Sequence, residues 1–131
     1  MKNIKFIKMH GLGNDFVIID RSENTAEIKK KETLKKIGSR NFGVGCDQIL
    51  IIDRHDNKNA EVTIFNNDGS QAGACGNGVR CVASYLMDKQ NTTEIRIKTI
   101  SGRLDCWIEN EDCFVNMGKP CFDWTLIPLS K

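Results

Sequence analysis

Residues 77–87, Asn77-Gly78-Val79-Arg80-Cys81-Val82-Ala83-Ser84-Tyr85-Leu86-Met87, carry apolar side chains at 79, 82, 83, 86 and 87. That is the i, i+3, i+4, i+7, i+8 spacing of one helix face. The polar sector holds only Arg80, Ser84 and Asp88, while Cys81 and Tyr85 extend apolar character to the opposite side. A helix of this kind has to be enclosed by protein over most of its circumference. A curved sheet wrapped around a central helix would enclose it.

Working outward, short strand signals dominate. Ile4 and Phe6 alternate with polar neighbours, and Phe16-Val17-Ile18-Ile19 follows a loop containing Gly11 and Gly13. The continuous apolar run at residues 49–52 suits a strand buried on both faces. Val62 and Ile64, Ile95 and Ile97, then Leu104, Cys106 and Ile108 show the two-residue period of half-buried strands. Ser101-Gly102 and Asn110-Glu111-Asp112 read as hairpin turns, which implies mainly antiparallel pairing. A second helix is expected over residues 32–39. The basic run Lys29-Lys30-Lys31 with Lys35 and Lys36 falls in this helix-like stretch and its approach, beside apolar Leu34 and Ile37, and reads as a solvated face. The expected class is α+β, a mainly antiparallel curved sheet around a central helix.

The 131 residues suit one domain with a single core. Nineteen basic against 17 acidic residues leave a net charge of +2, which gives no electrostatic support for nucleic-acid or membrane attraction. No apolar run approaches membrane-spanning length, and no export signal is visible. A cytoplasmic location with reduced thiols is expected for the six cysteines. Their spacings match no zinc pattern, and His10 and His55 have no neighbouring ligands in sequence, so no metal site is expected.

The chemistry concentrates at Ala74-Cys75-Gly76-Asn77-Gly78-Val79, which puts a thiol at the mouth of the amphipathic helix. Upstream, Phe65-Asn66-Asn67-Asp68-Gly69-Ser70 is an apolar strand end running into a polar turn. Gly76 and Gly78 keep the first helical turn clear of side chains, so its amides and the positive dipole end favour an anion. The same field favours thiolate over thiol at Cys75. Buried packing is the commonest fate of a cysteine, but this position points to a reactive one. Cys81, inside the helix, reads as packing, and six residues of helix separate it too far from Cys75 for an easy disulfide. Cys46, Cys106, Cys113 and Cys121 read as bystanders. Asp68 reads as a turn former with Gly69. A dinucleotide-binding reading of Gly11-Leu12-Gly13 fails, since the third glycine is missing and a strand follows.

Three ordered blocks carry a family resemblance: Lys8-Met9-His10-Gly11-Leu12-Gly13-Asn14-Asp15-Phe16, then Gly43-Val44-Gly45-Cys46-Asp47-Gln48, then Asn66-x-Asp68-Gly69-Ser70 with Cys75-Gly76-Asn77-Gly78-x-Arg80-Cys81. Together they resemble the N-terminal half of diaminopimelate epimerases. The resemblance implies a curved sheet around a central helix, which the helix pattern independently supports. It implies Cys75 as one of two catalytic cysteines, with Asn14, Gln48, Asn66, Gly76 and Asn77 binding a small-molecule amino-acid substrate. It implies epimerisation of LL-diaminopimelate to the meso form, serving lysine and peptidoglycan precursor synthesis, with neither cofactor nor metal. By itself Asn14 also fits a simple turn residue, and Arg80 stays unassigned between holding a carboxylate and holding a neighbouring loop. Cys46 lies two residues from Gln48 in a block that resembles substrate-binding sequence.

Family members carry two similar halves. Residues 1–117 are expected to form the first, and the apolar tail at 118–131 to lead into a missing second. The second catalytic cysteine would lie there, so this chain alone is expected to be inactive. A homodimer is compatible with this reading. The alternative is a half-length, non-catalytic binding or regulatory module of the same fold. Related isomerases of phenazine biosynthesis use a carboxylate instead of cysteine, and Cys75-Gly76-Asn77-Gly78 argues against that subgroup.

Overall fold

Strand β3 (Gln48–His55) holds Ile49, Leu50, Ile51 and Ile52 fully out of solvent, so protein covers both of its faces. A computed structural model shows how, describing residues 3–11, 13–24, 27–73 and 76–116. Strands β1 (Ile7–Gly11) and β2 (Asn14–Asp20) precede β3, with helix α1 (Lys31–Gly38) in the crossover between β2 and β3. Strand β4 (Asn59–Asn66), helix α2 (Gly76–Gln90) and strands β5 (Glu94–Thr99), β6 (Gly102–Glu109) and β7 (Asp112–Asn116) follow. The seven strands form one sheet in sequential order.

Alternation along the strands divides the apolar residues between two faces. Phe16, Ile18, Leu50, Ile52, Val62, Ile64, Ile95 and Ile97 pack on Val79, Val82, Leu86 and Met87 of α2. Val17, Ile19, Ile49 and Ile51 pack on the other face with Leu34 of α1, Ile28 and Cys46. Helix α2 touches both edge strands, β1 and β7, as well as β2, β3, β5 and β6, so the sheet curls around it. The narrow polar sector of α2 matches its surroundings: Arg80 and Asp88 are exposed, and Cys81 is buried with the core. Burying a side chain such as Leu86 or Val82 contributes about 1.5–3 kcal/mol, which makes α2 the main apolar partner of the sheet.

Four of the six strand pairings are antiparallel. The other two, β2 with β3 and β4 with β5, are parallel, giving a mixed sheet. Alternation could not reveal this, because each parallel pair is joined by a crossover that carries a helix. Strand β1 starts at Ile7 rather than near Ile4, because pairing with β2 begins at Ile7 opposite Ile18. Asn110 and Glu111 turn the β6–β7 hairpin with φ of 50° and 71°, as a two-residue turn with both residues left-handed requires. Asn91, with φ of 56°, ends α2. Its amide donates to the Asp88 carbonyl, and that of Thr92 to the Met87 carbonyl at 2.9 Å, closing the helix. The lysines of α1 and its approach are exposed, as the charge pattern implies. The tail at residues 118–131 lies outside the described residues.

Candidate active site

The strand directions bring the ends of several elements to one side of the sheet. Gly11 ends β1, Asn14 begins β2, Gln48 begins β3 and Asn66 ends β4. In the ladder Gly11 faces Asn14, Gln48 faces Asn66, and Gln48 also pairs with Phe16 of β2. Helix α2 points its N-terminus to this side. A methyl built on Gly11 would lie 3.8 Å from Asn77 Cβ and 3.5 Å from Cys81 Sγ. Four of the substrate-binding residues expected from sequence, Asn14, Gln48, Asn66 and Asn77, therefore share one end of the fold. The fifth, Gly76, opens α2 there. Cys75 lies outside the described residues, next in the chain to Gly76.

The polar groups of this end are ordered by one another. Gln48 Nε2 donates to Asn66 Oδ1 at 3.3 Å, and Asn66 Nδ2 donates to Ser70 Oγ at 3.1 Å. Ser70 Oγ donates in turn to Asp68 Oδ1 at 2.6 Å, and the Ser70 amide donates to the same oxygen at 2.9 Å. These donors lower the Asp68 carboxyl below the usual carboxylate range. Asp68 thus shapes the turn with Gly69, whose φ of +89° a side chain would resist. The segment after this turn runs back along β4, the Ala72 amide donating to the Ile64 carbonyl at 2.8 Å. On its other side Ser101 Oγ donates to the Gly73 carbonyl at 2.9 Å, tying the approach to α2 to the β5–β6 turn.

A charge network beside Asn14 and Gln48 escaped the sequence reading. Asp15 follows Asn14, and Asp47 precedes Gln48. Arg40 Nη1 and Nη2 donate to the two oxygens of Asp15 at 3.0 and 2.8 Å, and Nη2 also reaches Asp47 Oδ1 at 3.1 Å. Lys8 Nζ pairs with Asp15 Oδ2 at 2.9 Å and also donates to the Gly45 carbonyl. The Arg40 guanidinium, with Lys8, holds the Asp15 carboxyl far below its ordinary value despite the opposing effect of burial. The available signal was an aspartate beside each of two candidate amides, in two separate blocks.

Among the described residues, the thiols of Cys46, Cys81, Cys106 and Cys113 are packing groups. Cys46 and Cys106 are buried, and Cys81 Sγ stands 3.7 Å from the His10 carbonyl oxygen. Burial raises the Cys46 and Cys113 thiols and pushes that of Cys106 up to about 12, which leaves these three protonated and unreactive near neutrality. Among the described residues, no group of His, Cys, Asp and Glu is arranged to hold a metal, and no helix is long and apolar enough to cross a membrane.

At the far end of the sheet a second polar cluster fastens α2. Asp20, almost wholly buried, stands 2.9 Å from His55 Nε2, and Gln90 Nε2 lies 3.0 Å from His55 Nδ1. Lys89 Nζ pairs with Glu23 at 2.8 Å and approaches Asp20 at 3.5 Å. Burial opposes ionisation of Asp20, but the Ser22 hydroxyl and amide, with His55, outweigh it and keep the carboxyl below its usual value.

Comparison with known proteins agrees with the three blocks. The family model described as diaminopimelate epimerase matches residues 6–122. A diaminopimelate epimerase of Rhodospirillum centenum is 41% identical over 129 residues, covering 96% of this chain and 44% of its own length. One from Pelagibacter ubique is 44% identical over 130 residues, covering 98% of this chain and 47% of the relative. Solved structures share the curled sheet. A phenazine biosynthesis protein of the PhzF family from Bacillus anthracis superposes with a TM-score of 0.62 at 18% identity, over 88% of this chain and 40% of that one. A hydroxyproline epimerase from Agrobacterium vitis gives 0.61 at 12% identity, over 86% and 41%. At such identities these structures speak to the fold alone. The chain spans about half the length of the curated relatives it matches, and over that span it belongs to the diaminopimelate epimerase family.

Proposed function

We infer that this chain supplies one face of the active site of a cofactor-independent epimerase that interconverts LL- and meso-diaminopimelate. The observation that carries the reading is the gathering of Asn14, Gln48, Asn66 and Asn77 at the sheet end where Gly76 opens α2. An amino-acid substrate presents an ammonium and a carboxylate. Neutral carboxamides fix such groups in place without neutralising a nearby thiolate. The helix N-terminus favours the substrate carboxylate, and each preorganised donor there contributes about 3 kcal/mol as negative charge develops on loss of the α-proton.

Inversion needs a base on one face of the α-carbon and an acid on the other. Cys75, as thiolate, would take the α-proton, and a second thiol would return a proton from the opposite side, the two exchanging states at each turnover. We place the second thiol and the remaining substrate contacts in the other half of the complete protein. Residues 1–117 would form the first half, the segment from 118 would lead into the second, and closure of the two would exclude water. A cytoplasmic location fits the need for a reduced thiol pair.

The test is deuterium incorporation at the α-carbon in D2O. The complete protein is expected to exchange the α-proton of LL-diaminopimelate and to lose this on Cys75→Ser, and the 131-residue chain is expected to do neither at a useful rate. Unchanged turnover in the Cys75→Ser protein would remove Cys75 from the chemistry and leave this half a binding role only.

A further inference from the structure

Two of the sequence blocks, the one ending at Asp15-Phe16 and the one ending at Asp47-Gln48, meet where the parallel ladder of β2 and β3 begins. The first rung pairs Phe16 with Gln48. Asn14 and Asp15 on one side and Asp47 on the other stand before that rung, and parallel rungs are weaker per residue than antiparallel ones. Contacts outside that ladder add to what holds the two carboxamides, Asn14 and Gln48, at a fixed separation.

The contacts for this are present. The Asp15 amide donates to Asp47 Oδ2 at 3.0 Å, and the Asp47 amide donates to Asp15 Oδ1 at 2.9 Å and to the Asp15 carbonyl at 3.0 Å. Two carboxylates in such proximity repel each other. Arg40 removes the conflict by gripping Asp15 with both terminal nitrogens and Asp47 with one of them. Its planar fork suits this bridging in a way a point charge does not. The two glycines of the second block serve the same arrangement. A methyl on Gly43 would fall 1.8 Å from the Lys36 carbonyl oxygen, so the loop lies directly on the end of α1. Gly45, at φ of +79°, passes over Arg40, where a methyl would come within 2.9 Å of its Cα and Cγ. The loop thereby confines the stem of Arg40, and the Gly45 carbonyl accepts from Lys8, the other cation on Asp15.

We propose that Arg40 is a positioning residue for the substrate-binding end: by bridging Asp15 and Asp47 it fixes Asn14 and Gln48 relative to each other across the mouth of the β2–β3 ladder. The role rests on the epimerase reading for its substrate, but the positioning itself can be read without substrate.

The experiment uses the complete protein and the variants Arg40→Ala and Arg40→Lys. With LL-diaminopimelate, KM is expected to rise about tenfold in both, as for a lost charged hydrogen-bonding partner, while kcat changes less than about threefold. Lysine is not expected to rescue, because it keeps the charge and loses the fork. In parallel, the side-chain amide NMR signals of Asn14 and Gln48 in the substrate-free protein are expected to shift or broaden in both variants, with those of Asn59 and Asn91 unmoved. Unchanged KM, or full rescue by lysine, would overturn the proposal. If the wild-type protein shows no α-proton exchange, it is the epimerase reading that fails. The NMR comparison then decides the positioning alone, and unperturbed Asn14 and Gln48 signals would refute it.

Discussion

The carboxamide of Gln48 donates to that of Asn66 at 3.3 Å, across the rung at which β3 and β4 meet. Ser70 and Asp68 extend the chain of hydrogen bonds from there, with Asp68 as the final acceptor, so the orientation of Gln48 is set three residues deep. Two groups that touch in this way do not act independently.

Gln48→Ala and Asn66→Ala should therefore be non-additive. Each alone is expected to lower kcat/KM of the complete protein by about tenfold or more, by removing one partner of a polar pair. The double variant should be only slightly worse than either single one, with a coupling of about 1 kcal/mol or more. Strictly additive losses in the four-member cycle would mean that the contact does not organise the site.

The charge state of Asp15 sets an acid limit on stability. The unfolded chain takes up a proton at an aspartate near about pH 4, whereas folded Asp15 resists it because Arg40 and Lys8 hold its carboxyl low. Below that pH the unfolded state binds more protons, so the contribution of Asp15 is present above the ordinary aspartate range and is lost as pH falls through it toward the depressed value. Asp15→Asn should lower stability near neutrality and flatten the acid limb of a stability–pH curve from urea denaturation. An equally steep limb in the variant would locate the effect in Asp20, Asp56 and Asp68, whose carboxyls are also lowered.

His55 should matter for stability and little for chemistry. Its ring holds Asp20, whose side chain is 3% exposed, at the end of the sheet away from Asn66. His55→Ala leaves that carboxylate short of a partner and is expected to cost about 2–4 kcal/mol. Thermal unfolding should show the loss, while kcat of the folded fraction stays near that of the unchanged protein.

Glu111 sits at φ of 71° in the β6–β7 turn, a conformation that costs a residue with a Cβ about 1–2 kcal/mol. Glu111→Gly removes this strain and adds back the chain entropy of glycine, about 0.5–1 kcal/mol. A net gain of about 0.5 kcal/mol is expected, visible as a higher midpoint in denaturant. A lower midpoint would show that the glutamate side chain itself stabilises the hairpin.

Much of this fold was legible in local sequence. The spacing of Val79, Val82, Ala83, Leu86 and Met87 identified a helix enclosed by the sheet, and the run Ile49 to Ile52 identified the strand covered on both faces. The turns at Ser101-Gly102 and Asn110-Glu111 followed from composition. Long-range features did not. The parallel pairing of β2 with β3 depends on how α1 returns the chain, and the Arg40 bridge joins positions 25 and 7 residues apart. Neither leaves a periodic mark. Asn14, Gln48 and Asn66 came from motif resemblance, and periodicity alone would have passed over them as turn and strand-end residues.

Helix α2 is 15 residues long, about 22 Å at 1.5 Å per residue. Its C-terminal footing, through Lys89 and Gln90, is thus a full helix length from the pole that faces Asn66. Substitutions that far apart add rather than interfere. A lineage could therefore exchange the reactive groups at one pole without loosening the anchorage at the other.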